Sequence, residues 1–546
     1  MTPDLREFEL EGESGRPSAG GGKNSADDRV SAVLAALAST FGIDTEPGGP
    51  GSGTRQRTWL DTFDWRLYRA GLVLEHQHLR RGGRLLLSED GAVAAEQPVA
   101  GWQPRRPCLA ENLPVGPVRD RIGKLVSPRA LLPVVKAVGT VSVTRLLNAD
   151  GKTVARLIVE ETTVTRADLT VELPPRLAIA EVRGYPGQAR KAARLVEGVP
   201  GVAPADQSVF ATALNALGRH PADYSSSVET EITAQMPASV AVATVLLRLL
   251  DTIELNVDGV TRDIDTEFLH DLRVSVRRTR SAIKLLGDVL PSGLAAQYAA
   301  EFKWLGDLTT PTRDLDVHLL GFGSMAGHLA DGSAADLEPF RAFLVRRRAR
   351  EFRRLAAALR SPRFRAITED WRKALLEVRD AGGPKKHRSV TAAELAVSRT
   401  GHVFGRVAKR GAAITADSPP ESLHDLRKRC KELRYLLEFF APLYDPAIYR
   451  KVVGDLKQLQ DCLGEFQDSQ VQRGEIHALA DAMLAERAAP AATLLAMGEV
   501  VAWLAISQDE ARADFSLRFA KFAGPAGQHR VHRLLGEPAS AGEAGQ

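Results

Sequence analysis

The chain has 546 residues, 44% of them hydrophobic and 26% charged, which is too long for one ordinary core and predicts two to four domains. Its 72 Lys and Arg against 68 Asp and Glu leave a net charge of only +4, so overall charge gives no case for a polyanion partner and the positions of the charges must. Three scattered cysteines, Cys108, Cys430 and Cys462, exclude a disulfide scaffold or a Cys/His zinc site and predict buried free thiols at Cys430 and Cys462. The beginning Met1-Thr2-Pro3-Asp4 has no leader pattern and no stretch reaches 18 uninterrupted apolar residues, so a cytoplasmic protein without a membrane span is expected.

The first part of the chain reads as strands mixed with a few helices. Alternating runs at 84–88, 141–147, 155–161 and 170–173 predict strands, and Asp150-Gly151 between two of them predicts a hairpin turn. Residues 27–41 predict a short helix, with Val30, Val33, Leu34 and Leu37 on one face, between Gly-rich stretches at 12–24 and 47–53. Residues 217–230 carry linker chemistry and separate a first domain at 1–216 from a second at 231–523. The second is helix-period throughout, with loops expected at 291–294, 331–336, 380–390 and 416–420; residues 524–546 read as a disordered tail. The fold class is therefore multidomain: an α+β antiparallel β-barrel or tunnel-like domain, then an all-α domain of two pseudo-symmetric helical bundles.

An internal repeat organises the second domain. Residues 270–317 align without a gap onto 424–471, an offset of 154, with HDLRVSVRRTRSAIKLL facing HDLRKRCKELRYLLEFF. Duplication of a helical unit, about 231–385 and 386–523, explains a period this long. His270, Arg273, Arg277, Arg280 and Lys284 follow i, i+3, i+7, i+10 and i+14, which on a helix is one longitudinal stripe. His424, Arg427, Lys431 and Arg434 repeat it, and Glu438 breaks the fifth place. Leu272, Val276, Ile283 and Leu286 share the phase, rotated by one residue, so the stripe borders the buried face.

Acids are almost absent from the stripes. Like charges at these spacings repel, and a cost met twice points to an external anion. Further cations lie at Arg399, His402, Arg406 and Arg410, and residues 341–373 hold twelve Arg and Lys against Glu351, Glu369 and Asp370. Arg presents a donor fork that suits phosphate, and the stripe histidines titrate near neutral pH. Tyr435 apart, no stacking aromatics interleave with the stripes, which favours a linear phosphate polymer over nucleic acid, although a nucleic-acid binder stays open.

These residues, with RDLDVHL at 313–319 and LQDCLGEFQDSQV at 459–471, resemble the CHAD domain, a helical domain named for conserved histidines. The resemblance implies two helical bundles around a basic groove or pore, and inorganic polyphosphate as partner, with polyphosphate granules and their other proteins as the setting. No cofactor is required for such binding. The matching positions are His270, Arg273, Arg277, Arg278, Arg280, Lys284, His424, Arg427, Lys428, Lys431 and Arg434, and Arg399, His402 and Arg406 join them as candidates. Asp314 and Asp468 are expected to orient basic side chains or cap helices and not to touch an anion.

The first domain resembles the CYTH family, the triphosphate tunnel fold, through LREFELEGE (5–13), TWLDTFDWRLYRAGLVLEHQ (58–77), VARLIVEETTV (154–164) and IAEVRGYPGQARKAARLVE (179–197). The resemblance implies acids that hold Mg or Mn and basic residues that clamp a triphosphate. Here Glu11 stands at the signature lysine, Glu75 and His76 replace basic positions, and the next strand reads Leu87-Ser88-Glu89. Glu7 and Glu9 remain as metal candidates, with Glu160, Glu161 and Glu181. A degenerate, non-catalytic domain is the expectation, and a metal-dependent tri- or polyphosphate hydrolase the alternative.

Overall fold

The computed structural model describes residues 5–10, 22–45, 52–79, 82–166, 169–329, 334–381 and 390–536. They form two compact units, Met1–Ser225 and Ser226–Gln546. Glu11, most of the two Gly-rich stretches, and the greater part of the loop at 380–390 lie outside the described residues.

The first unit is an antiparallel sheet with helices on it. Its strands are β1 Leu5–Leu10, β2 Gly42–Thr45, β3 Gly53–Thr62, β4 Leu72–Leu79, β5 Gly82–Glu89, β6 Ala92–Pro98, β7 Cys108–Leu109, β8 Ala130–Leu147, β9 Thr153–Arg166, β10 Leu169–Glu172, β11 Arg176–Glu181 and β12 Val202–Pro204. The main path runs β12-β1-β11-β9-β8-β3-β4-β5-β6. The hairpin at Asp150-Gly151 joins β8 to β9: Asn148 Oδ1 accepts from the amides of Asp150 and Lys152, and Gly151 supplies the positive φ of 74°.

Helices α1 Gly22–Ala38, α2 Arg66–Arg69, α3 Pro117–Val126, α4 Pro186–Glu197 and α5 Val209–Ala216 complete this unit. The helix expected at 27–41 thus begins and ends earlier. Val33 and Leu37 of α1 pack with Ala192, Ala193 and Val196 of α4 over Leu157, Leu177 and Ile179 of the sheet. Alternation along β9 and β11 sends these apolar residues to one face and Arg156, Glu160 and Arg176 to the other, while Glu161 and Glu181 keep the phase of the apolar residues.

The second unit is all helix: α6 Ala238–Thr261, α7 Thr266–Leu286, α8 Leu294–Leu320, α9 Phe322–Gly327, α10 Glu338–Leu359, α11 Pro362–Ala381, α12 Ala392–Ala412, α13 Pro420–Phe439, α14 Pro446–Ala485, α15 Ala491–Ala523 and α16 Pro525–Leu534. The predicted multidomain, antiparallel-then-helical fold class is what the structure contains. The disordered tail expected from 524 is corrected over Pro525–Leu534, which is α16; its Val531 and Leu534 are buried, and Arg530 Nη2 donates to Asp455 Oδ2 at 2.7 Å. A helix this short is held by packing and an ion pair that local composition does not reveal.

Caps set the starts of several helices. Asp265 accepts from the amides of Glu267 and Phe268 at the start of α7, Asp445 from Ala447 and Ile448 at α14, and Thr391 with Glu394 forms a capping box on α12. Helix α15 is long and apolar enough in composition to cross a membrane. In this fold it packs along α14 and buries Ala496, Met497, Val500 and Leu504 in a shared cluster. Cys430 and Cys462 are buried free thiols, pushed up by burial to about 12 and about 11.

Candidate polyanion-binding site

Helices α7 and α13 carry the two stripes and make reciprocal contacts. Arg278 donates from Nε and Nη2 to Glu438 Oε2 at 3.1 and 2.7 Å, and Lys284 Nζ donates to Glu432 Oε1 at 2.7 Å. The offset of 154 makes Arg278 equivalent to Glu432 and Lys284 equivalent to Glu438. The two bridges are therefore one contact made twice about a pseudo-two-fold, with the first helix supplying both cations and the second both acids. Glu438, which breaks the stripe in sequence, is an interface acid that also accepts from Arg434 Nε at 2.7 Å.

The same two helices also form a cationic centre. Arg277 Nε donates to Tyr435 Oη at 2.7 Å, across from one stripe to the helix of the other. Lys431 is part-buried among Arg427, Arg277 and Arg273, and no hydrogen bond or ion pair reaches its amine among the described residues. Burial, then repulsion from Arg427 and Arg277, against a smaller pull from Asp468, lowers Lys431 to about 8. Burial also lowers Arg273, with Asp314 opposing it and Arg277, Arg313 and Arg280 adding to it.

The flanks of the centre repeat as well. Arg273 lies 3.9 Å from Asp314 and donates to Thr310 Oγ1, while Arg427 Nη2 donates to Asp468 at 2.9 Å. These pairs are equivalent under the same offset, so each half holds one stripe arginine against one carboxylate. Arg280 is exposed and lies over Gly306, where a Cβ would stand 2.8 Å from its Nη1. His424 Nδ1 is 2.8 Å from Gln467 Oε1, which orients the imidazole; His270 is part-buried at the start of α7.

The structure divides the predicted residues. It brings Arg273, Arg277, Arg427 and Lys431 together, with Arg280 beside Arg273. Arg278, Lys284 and Arg434 are engaged by carboxylates of the helix interface, and Lys428 lies 3.4 Å from Asp425. Arg399 is tied to Asp288, and no hydrogen bond or ion pair among the described residues joins Arg399, His402 or Arg406 to the stripes. The run at 341–373 is also less cationic than it reads. Arg348 is held by Asp263 and Asp316, Arg363 by Glu301, and Arg372 by Asp251 and Glu254, all acids from other segments. Sequence counting within a helix cannot see acids supplied by its neighbours.

In the sheet unit, strand register places Glu7, Glu9, Arg176, Glu160 and Arg55 on one face. The arginines of this face were not among the predicted residues: Arg55 donates to Glu160 at 3.0 Å, Arg57 donates to the same carboxylate, and Arg176 lies 3.2 Å from Glu7 and 3.7 Å from Glu9. The TRQRT run of β3 held the signal, since alternation puts Arg55 and Arg57 on one face. Burial raises Glu9, with Arg176 opposing and Asp206 adding. The donor set does not fit a divalent metal: these glutamates already serve arginines, and no cluster of three or more His, Cys, Asp or Glu suited to a metal occurs among the described residues.

Residues 244–477 match the CHAD domain family model. No curated protein matches the chain. Among solved structures, the CHAD domain from the plant Ricinus communis is 26% identical, covering 59% of this chain and 98% of its own, with a TM-score of 0.42. PptA from Streptomyces chartreusis is 17% identical over 52% of this chain and 99% of its own, with a TM-score of 0.40. A Hippeastrum protein described as an adenylyl cyclase with a dominant triphosphatase activity is 15% identical over 40% and 99%, with a TM-score of 0.24. The family match spans both stripes and the α7–α13 interface, and residues 244–477 of this chain are a CHAD domain.

Proposed function

We propose that the protein binds inorganic polyphosphate at the α7–α13 centre, without turning it over. The observation that carries this is Lys431, part-buried beside three arginines and lacking a counter-carboxylate of its own. Such a group is destabilising until an anion neutralises it, and a phosphate chain can meet Arg273, Arg277, Arg427 and Lys431 at once. The resemblance of the CHAD domain to polyphosphate binders points the same way, and a cytoplasmic setting at polyphosphate granules is part of the proposal.

The test is a titration of long-chain polyphosphate at about 0.15 M salt. Saturable binding is expected, weakened at least about 100-fold by Arg277→Glu with Lys431→Glu, at about 1.5 kcal/mol or more for each lost charge-assisted contact. Equal binding by the variant would remove the proposal. Duplex DNA outcompeting polyphosphate at equal phosphate concentration would favour the nucleic-acid reading. Phosphate release with Mg²⁺ or Mn²⁺, abolished by Glu7→Gln with Glu9→Gln, would favour the hydrolase.

A further inference from the structure

A second cationic cleft, lined by none of the stripe residues, lies where the start of α14, the end of α15 and α16 meet. Its volume is about 530 Å³. Arg450, Lys451, Lys521 and Arg530 line it against the single carboxylate of Asp455. Asp455 is 14% exposed and lies 2.7 Å from Arg530 Nη2 and 3.3 Å from Lys521 Nζ, so one acid holds two cations in place. Further bonds fix both: Lys521 Nζ donates to Gln458 Oε1 at 2.9 Å, and Arg530 Nη2 to the Lys521 carbonyl at 3.2 Å.

Arg450 and Lys451 stand on the rim. Arg450 donates only to the Pro446 carbonyl at 3.1 Å, and no bond or ion pair reaches the Lys451 amine among the described residues. Four cations against one acid leave three positive charges uncompensated in one concavity, two of them preset in direction. No aromatic ring lines the cleft, so recognition there depends on charge and size.

We propose that this cleft is a separate site for a compact phosphate polyanion, of the size and charge of inorganic triphosphate. It goes beyond the stripe reading because it uses none of the same residues. Arg530 belongs to α16, so the C-terminal helix completes the site.

The experiment is calorimetric titration of inorganic triphosphate into the full chain, the Arg450→Glu/Lys451→Glu variant and the Arg277→Glu/Lys431→Glu variant. Both rim residues are exposed, so the first variant should melt as the parent does. Triphosphate binding should persist in the stripe variant and fall at least about tenfold in the rim variant. ATP binding with similar affinity, also lost in the rim variant, would support a site that reads the phosphates alone. Unchanged triphosphate binding in the rim variant, or none in the parent, would overturn the proposal. Arg530→Gln gives a second check: it should weaken triphosphate, and an unaltered affinity would count against the cleft. Loss of long-chain binding in the stripe variant is read separately, so either site can fail alone.

Discussion

Both units place arginines on one charged face, yet the two faces differ in how those charges are answered. In the sheet, Arg55 and Arg57 share Glu160, and Arg176 sits between Glu7 and Glu9. In the helical unit, Arg273 and Arg427 each have one aspartate, but among the described residues no carboxylate bonds Lys431 and Arg277 bonds only a tyrosine hydroxyl. The sheet face is a closed ion-pair network, whereas the helical centre keeps net positive charge at part-buried Arg273, Arg427 and Lys431 and at exposed Arg277. Anion capacity therefore follows from the charge left uncompensated, and a count of basic residues does not measure it.

The strongest way to break this comparison is the double reversal of Arg277 and Lys431, whose expected loss of polyphosphate affinity exceeds every other effect. Next comes the interface acid. Glu438→Gln strips a partner from Arg278, whose side chain is only 11% exposed, and should destabilise the fold by about 2–4 kcal/mol in chemical denaturation. Polyphosphate affinity should be retained or improved, because the removed charge is negative. Weaker binding would show that Glu438 builds the site.

Glu160→Gln probes the other side of the comparison. It should lower stability by about 2–3 kcal/mol and free Arg55 and Arg57, so that added triphosphate restores part of the loss in thermal melts. No recovery would mean that exposing the arginines is insufficient to make an anion site.

The smallest effect concerns Lys431 alone. Its folded value, about 8, lies below its ordinary 10.5, so the folded state holds fewer protons than the unfolded state between those values. Its contribution to stability thus improves as pH rises from about 8 towards 10.5, and the full penalty applies below 8. Lys431→Met should raise stability by about 1–2 kcal/mol at pH 7 while weakening polyphosphate roughly tenfold. Polyphosphate favours the charged amine, so binding should take up a proton near pH 8 to 9, measurable as a buffer-dependent heat, and affinity should fall as pH rises through that range. A heat independent of the buffer would place Lys431 outside the site.

The stripes were legible because helical periodicity is local: spacing alone put Arg273, Arg277 and Arg280 on one line bordering Leu272 and Val276, and the offset of 154 exposed the duplication. What each cation faces was not legible. Arg278 and Lys284 read like their neighbours, but a helix far along the chain supplies Glu438 and Glu432, 160 and 148 residues away. Likewise α16 reads as a polar tail until Asp455 and the core beneath it are placed. Periodicity determined the elements, the repeat and which residues share a face, because those depend on neighbours along the chain. Only the tertiary structure decided which charges are neutralised and which are left for a ligand, because Coulomb interactions act across space and at short range between segments far apart in sequence.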